Sequence, residues 1–258
     1  MTSDLCQAYE TQGFLSQSFD LANPFAMEGL VADSAAFEAE VATLRAQGRR
    51  TVPYRITDAI RAVAHDAALV EVMTTLLGSS DWVMWGSNIR IGTPNEAHQW
   101  HVDIESVHWP SITVAVGVKG CREENATRVI SGSQAIPVVT LEAVDQAQDE
   151  AVLRAARTKG KTDAQILSPQ GFGDGKFFVF DARAWHAGVP NQSNDRCILF
   201  MHYQRADALR VPQMKDYSKG TFFRHPAPFI DGTGRANPKV SAGPYASRLE
   251  RLAVRWRL

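Results

Sequence analysis

The 258-residue chain sets 27 Lys and Arg against 28 Asp and Glu, a formal net charge of −1, and is 45% hydrophobic. This is enough apolar material for one substantial core. It gives whole-chain electrostatics no pull toward nucleic acid or an anionic membrane, so a small-molecule partner is expected.

Three cysteines, at 6, 121 and 197, and an opening Met1-Thr-Ser-Asp-Leu-Cys6 without the basic and apolar regions of a signal peptide predict free thiols and a cytoplasmic location. No apolar run approaches the ~20 residues needed to cross a bilayer.

In chain order, Asp33-Ser34 reads as a cap for a helix carrying Phe37, Val41 and Leu44 at helical spacing, closed by Gly48. A second helix follows Thr57-Asp58, with Ile60, Val63 and Ala64 on one face, and a third runs from Asp66 to Gly78. The texture then turns to short β-rich runs separated by Gly, Pro, Asn or Asp: 82–91, 112–118, 128–131, 176–180 and 197–204. Helices first and strands afterwards predict a mainly β fold with flanking α-helices around a double-stranded β-helix, a jelly-roll or cupin-like barrel. One domain is expected, with N-terminal helices over about 1–80, the barrel over about 81–205 and a C-terminal extension over about 206–258.

Between two expected core strands, 141–162 carries a polar, Ala-rich helical pattern that reads as an insertion able to cover a site. The stretch 205–258 holds 11 Lys and Arg against 4 Asp and Glu. Its end, 246–257, sets Leu249, Leu252, Ala253 and Trp256 on one helical face and Arg248, Arg251 and Arg255 on another, predicting an amphipathic helix docked on the barrel.

The residues that carry chemistry begin at His101-Val102-Asp103. Residues two apart on a strand project to one side, so His101 and Asp103 can grip one ion while Val102 faces away. Two imidazoles and one carboxylate on one face, with the opposite positions open, are what an O₂-activating Fe(II) requires. The third ligand must come from a distant segment, and His186, at the end of the apolar run from Phe177, supplies it. Ten residues on, Arg196 opens another strand, where its guanidinium can pair bidentately with a carboxylate of a co-substrate.

These residues and their surroundings resemble the phytanoyl-CoA dioxygenase family of Fe(II)- and 2-oxoglutarate-dependent oxygenases. Tyr9-Glu-Thr-Gln-Gly-Phe-Leu15 is similar to its opening segment, and Val129-Ile-Ser-Gly-Ser-Gln134 to its P-G-S-H run, with Gln134 where histidine is usual. Gly173-Asp174, Trp185-His186 and Asn191-Gln-Ser-Asn-Asp-Arg196 resemble its ending. His101-Val-Asp-Ile-Glu-Ser-Val-His108 is also similar, locally, to the metal loop of ectoine hydroxylases.

The resemblance implies Fe(II) held by His101, Asp103 and His186, 2-oxoglutarate held through its distal carboxylate by Arg196, and O₂ as oxidant, with succinate and CO₂ released as an unactivated C–H bond is hydroxylated. Related halogenases have a small residue where Asp103 stands, so hydroxylation, or a desaturating or ring-forming variant, is expected over halogenation.

Asn88 and Arg90 alternate with Ile89, so both point into the barrel or both away from it. Asn88 and Thr113 are further candidates to hold 2-oxoglutarate. Arg90, Glu105 and His108 are candidates to contact the substrate, which the arginines suggest is anionic. His98 lines the pocket or its rim, and His65, His202 and His225 read as structural. Two other readings stay open: a non-catalytic cupin-like metal or small-molecule binding protein, and a zinc hydrolase or isomerase using His98, His101 and His186.

Overall fold

The computed structural model describes residues 2–46, 57–80, 82–91, 98–104, 111–159, 161–189, 196–205 and 254–256. Helix α1 spans Thr2–Gln12 and a short strand β1 Phe19–Asp20, followed by α2 (Pro24–Ala46), α3 (Asp58–Ala64) and α4 (Ala67–Leu77). Helix α2 begins about ten residues before the expected Asp33-Ser34 cap. Asn23 accepts a hydrogen bond from the Phe25 backbone N–H at 3.1 Å, and Pro24 occupies the first helical position, where a missing N–H costs nothing. Ser34 instead lies within the helix, its hydroxyl turned back to the Val31 carbonyl at 2.7 Å.

The next two helices follow their caps. The Thr57 hydroxyl accepts from the Ile60 N–H at 3.2 Å, and Asp66 from those of Ala68 and Leu69 at 3.0 and 3.4 Å. Gly78 ends α4 in the left-handed conformation at φ 61°, where a side chain would be strained. No helix among the described residues is long and apolar enough to cross a membrane.

The strands β2 (Trp82–Ile91), β3 (Ser111–Lys119), β4 (Arg128–Ile130), β5 (Ile166–Leu167), β6 (Lys176–Asp181), β7 (His186–Ala187), β8 (Cys197–Arg205) and β9 (Val254–Trp256) form two antiparallel sheets. The larger has the order β1-β6-β3-β8-β2-β9 and the smaller β5-β4-β7. Together they make the double-stranded β-helix.

Alternation along each strand separates two faces of the larger sheet. Ile89, Ile112, Val114, Val116, Phe177, Val179, Leu199, Met201 and Tyr203 pack against buried residues of the helices such as Leu30, Ile60, Leu69 and Met73. Ala115, Phe178, Phe180 and Ile198 turn the other way, into the barrel, and meet Val129 of the smaller sheet. Ile89 therefore faces the helices, which sets Asn88 and Arg90 on the barrel face.

The stretch expected to cover the site lies elsewhere. Helices α5 (Val138–Glu142) and α6 (Asp149–Thr158) bury Leu141, Val152, Ala155 and Ala156 in a cluster with Trp100, Val102, Ile130 and Trp185. Asp149 accepts from the Trp100 indole N–H at 2.8 Å and pairs with Arg128. This layer supports the smaller sheet from outside.

The expected C-terminal helix over 246–257 falls mostly outside the described residues. Its described part, β9, is extended and pairs with β2 in the register Trp82↔Trp256 and Met84↔Val254. An open sheet edge offers a short Val- and Trp-containing segment the hydrogen bonds that a helix would otherwise supply.

Candidate metal centre

Residues 98–104 run beside 182–188 and are tied to them through the backbone. His101 and His186 exchange both N–H···O bonds, each at 3.0 Å, so the two histidines stand directly opposite each other. Gly188 N–H donates to the His98 carbonyl and Asp103 N–H to that of Ala182, at 3.0 and 2.8 Å. A Cβ on Gly188 would sit 3.3 Å from His98, so glycine there permits the close approach.

Trp100 and Val102 bury toward α6 while His101 and Asp103 turn inward. Upstream of His186, buried Ser133 accepts from the Trp185 N–H at 2.8 Å and donates to the Ile130 carbonyl at 2.7 Å, which fixes the approach to the histidine.

Among the described residues, one group of side chains brings metal-ligating atoms together: one atom each of His101, Asp103 and His186 lies within 4.8 Å of the others. Asp103 Oδ1 is 3.9 Å from His101 Nε2 and 3.6 Å from His186 Nε2. The remaining imidazole nitrogens are committed. His101 Nδ1 is 2.8 Å from the Gln99 carbonyl and His186 Nδ1 3.0 Å from that of Ala184. A carbonyl only accepts, so each Nδ1 donates its proton outward and each Nε2 is left turned inward, the arrangement a metal ligand needs.

Burial, followed by His186 and His98, holds the His101 pKa well below the ordinary imidazole value, so this ring is neutral and ready to bind. Burial opposes ionisation of Asp103, but His186, His202, His101 and the Thr113 hydroxyl outweigh it and hold its carboxyl below the usual range. Two imidazole nitrogens and a carboxylate suit a ferrous ion.

Asp103 divides its oxygens. Oδ1 faces the histidines, while Oδ2 accepts from the Thr113 hydroxyl at 2.6 Å. His202 Nδ1 stands behind, 3.2 Å from Thr113 Oγ1 and 3.7 Å from Asp103 Oδ2. The single hydroxyl proton of Thr113 is thereby spent on Asp103 and is not available to a 2-oxoglutarate carboxylate, the expectation from sequence.

His202, read from sequence as structural, belongs to this site. The signal that could have found it is parity: on β8 it lies an even number of residues from Arg196 and shares its face.

Arg196 donates to the Asn125 backbone carbonyl and meets no carboxylate among the described residues. Asn125 is itself fixed by its side chain, which accepts from Arg122 N–H at 2.8 Å and donates to the Gly120 carbonyl at 2.9 Å. Burial lowers the Arg196 pKa. A half-buried cation with only a neutral partner is suited to receive an anion. Asn88, across from Phe200 on the barrel face, buries a side-chain oxygen that has no partner among the described residues.

Arg90 is exposed and its Nη2 lies 2.7 Å from His98 Nε2; the His98 ring stacks on His101 with centroids 4.0 Å apart. Burial and the neighbouring Arg90 charge lower the His98 pKa to about 4. Because guanidinium only donates, His98 Nε2 accepts, and its Nδ1 faces the Gln99 carbonyl at 3.3 Å. With both nitrogens engaged, His98 is a poor ligand, which counts against the three-histidine zinc set. The candidates Glu105 and His108 lie outside the described residues.

The family model for phytanoyl-CoA dioxygenase (PhyH) matches residues 31–197. No curated protein matches the chain in sequence. Among solved structures, AviO1 from Streptomyces viridochromogenes Tue57 is 16% identical, with 79% of this chain and 95% of that one covered at a TM-score of 0.56. EctD from S. alaskensis with bound Fe is 19% identical, covering 80% and 77% at a TM-score of 0.56. The alpha-ketoglutarate-dependent epimerase SnoN from nogalamycin biosynthesis is 14% identical, covering 80% and 81% at 0.53. These likenesses show a shared fold.

Proposed function

This chain belongs to the phytanoyl-CoA dioxygenase family of Fe(II)- and 2-oxoglutarate-dependent oxygenases, and on that premise we propose that it hydroxylates an unactivated C–H bond of a small-molecule metabolite. The observation that carries this reading is the inward-facing set of two Nε2 atoms and one carboxylate oxygen, with both Nδ1 atoms anchored on carbonyls. We read 1–258 as a single catalytic domain.

When bound, the iron and 2-oxoglutarate supply the oxidising power: O₂ gives one oxygen atom to succinate and one to the substrate, and CO₂ leaves. The chain supplies position and shielding. His101, Asp103 and His186 would hold the ion. Thr113, backed by His202, keeps Asp103 Oδ2 occupied so that Oδ1 is the oxygen turned toward the two Nε2 atoms. Arg196 would pair with the distal carboxylate of 2-oxoglutarate, and Asn88 would contact the co-substrate from the neighbouring strand. Phe180, with its ring centroid 4.6 Å from that of His186, and Phe178 keep water from the inner wall.

Asp103 fills the position whose vacancy would admit chloride, which favours hydroxylation over halogenation. EctD has been solved with 2-oxoglutarate and 5-hydroxyectoine, and the substrate we assign to this chain is likewise a small metabolite. Arg90, beside His98 at the rim, would meet any anionic group such a substrate carries.

The test is succinate release from purified protein supplied with Fe(II), 2-oxoglutarate and oxygen. Release that needs all three supports the reading. Activity in anaerobic buffer without 2-oxoglutarate would establish the zinc alternative, and iron binding without succinate release the non-catalytic one.

A further inference from the structure

The barrel face of β8 carries Ile198, Phe200, His202 and Gln204 in alternation, placed opposite Gly117, Ala115, Thr113 and Ser111 of β3. Arg196 precedes this row at one end and Gln204 closes it at the other. His202, beside Asp103, marks the level of the metal centre. At ~3.3 Å per residue, Gln204 lies about 7 Å beyond His202, and Arg196 about 20 Å from His202 on the other side. If 2-oxoglutarate reaches from the metal toward Arg196, Gln204 stands on the side left for the molecule to be oxidised.

Gln204 is fully buried, and neither its Oε1 nor its Nε2 has a hydrogen-bond partner among the described residues. The neighbouring Ser111 hydroxyl spends its proton on the Tyr203 carbonyl at 2.7 Å and has none to give Oε1. A buried carboxamide with both ends unmet destabilises the folded chain, because the donor and the acceptor have each left water without replacement. Apolar residues fill comparable positions on the opposite face of the strand, so burial alone does not require glutamine here.

We propose that Gln204 recognises the substrate through a paired hydrogen bond, Nε2–H donating and Oε1 accepting, and that the group it recognises is an amide edge, a lactam or a primary carboxamide. The inference rests on the oxygenase reading above for which side of the metal the substrate occupies. An amide edge, which sets an acceptor and an N–H side by side, completes both ends at once. A carboxylate would leave Oε1 facing an acceptor, and an ammonium group would leave Nε2 facing a donor. The same pairing discriminates: a ketone of equal shape leaves Oε1 unmet and is rejected.

The first measurement needs no ligand. Gln204→Met keeps the side-chain length and removes both unmet groups, so the metal-free variant should melt about 2–4 °C above the wild-type chain. A variant that melts lower, or does not fold, overturns the proposal, because it shows that the protein already satisfies the carboxamide.

The second measurement uses 2-piperidone, with cyclohexanone as the matched ketone, observed by saturation-transfer NMR on anaerobic full-length protein holding Fe(II) and 2-oxoglutarate. Saturation of 2-piperidone at least fivefold above that of cyclohexanone in the wild-type chain, lost in Gln204→Met, supports the assignment. Equal saturation of both probes, none of either, or lactam binding that survives the substitution sinks it. Succinate release by the wild-type chain is scored separately: its absence fails the oxygenase reading, while the melting result still judges whether Gln204 is unsatisfied.

Discussion

The two faces of β8 belong to one strand and have opposite purposes. Cys197, Leu199, Met201 and Tyr203 face the helices and make an apolar layer with buried side chains of α3 and α4. Ile198, Phe200, His202 and Gln204 face the barrel, where polarity increases toward the metal centre and beyond it. Because side chains alternate, stability and chemistry are interleaved residue by residue, and a one-residue slip would exchange them. Substitutions on the two faces should therefore separate cleanly in what they damage.

The largest effect is expected on the barrel side. Asp103→Gly removes the only carboxylate of the ligand set and leaves two imidazoles, so succinate and hydroxylated product should fall below detection while weak iron binding persists. Anaerobic Fe(II) titration alongside a succinate assay measures both. Undiminished product from this variant would refute the ligand assignment.

On the helix side, Leu199→Ala should cost about 2–5 kcal/mol of folding stability, as expected for a fully buried residue whose neighbours cannot close the cavity. Iron affinity per folded molecule should stay at the wild-type value. Denaturant melts give the first quantity, and titration at low temperature, where the variant remains folded, gives the second. A large loss of metal affinity with an unchanged midpoint would invert the comparison between the faces.

How much of this was legible in the sequence follows the same division. Helices α3 and α4 could be read because Thr57, Asp66 and Gly78 are local signals whose effect does not depend on the rest of the fold. Asp33-Ser34 misled because a capping pair looks the same whether it starts a helix or lies within one; Asn23-Pro24 was the working start. The strands were visible as β-rich runs, and His101, Asp103 and His186 as spaced residue types.

What the sequence withheld was orientation. The helical pattern over 141–162 announced an apolar face but not what it meets, and that proved to be Trp100 and Trp185 behind the metal segment. His202 was read as structural and Gln204 went unread because their side of β8 follows only from its register against β3, in which Thr113 opposes His202.

Arg196 sharpens the contrast at the co-substrate end. Arg196→Met removes a charge-assisted pair worth about 1.5–3 kcal/mol, so the KM for 2-oxoglutarate should rise about 10–100-fold, with a much smaller change in iron affinity. Steady-state succinate formation against 2-oxoglutarate concentration reads the first and metal titration the second. An unchanged KM would return Arg196 to a structural contact with the Asn125 carbonyl.

The smallest expected effect probes the link between the strand and the metal. Thr113→Val preserves shape and removes the hydroxyl that holds Asp103 Oδ2 at 2.6 Å, leaving that oxygen with His202 Nδ1 at 3.7 Å, beyond hydrogen-bond range. An aspartate free to turn should bind Fe(II) about 10-fold more weakly, the low end for loss of a group that orients a ligand. His202 lies 3.2 Å from Thr113 Oγ1, so its influence on Asp103 passes largely through that hydroxyl. His202→Phe should therefore weaken iron binding in the wild-type background and add little in Thr113→Val, a non-additivity that a double-mutant cycle resolves. Full additivity would mean that His202 acts on Asp103 directly, and that the β3 hydroxyl is a packing contact only.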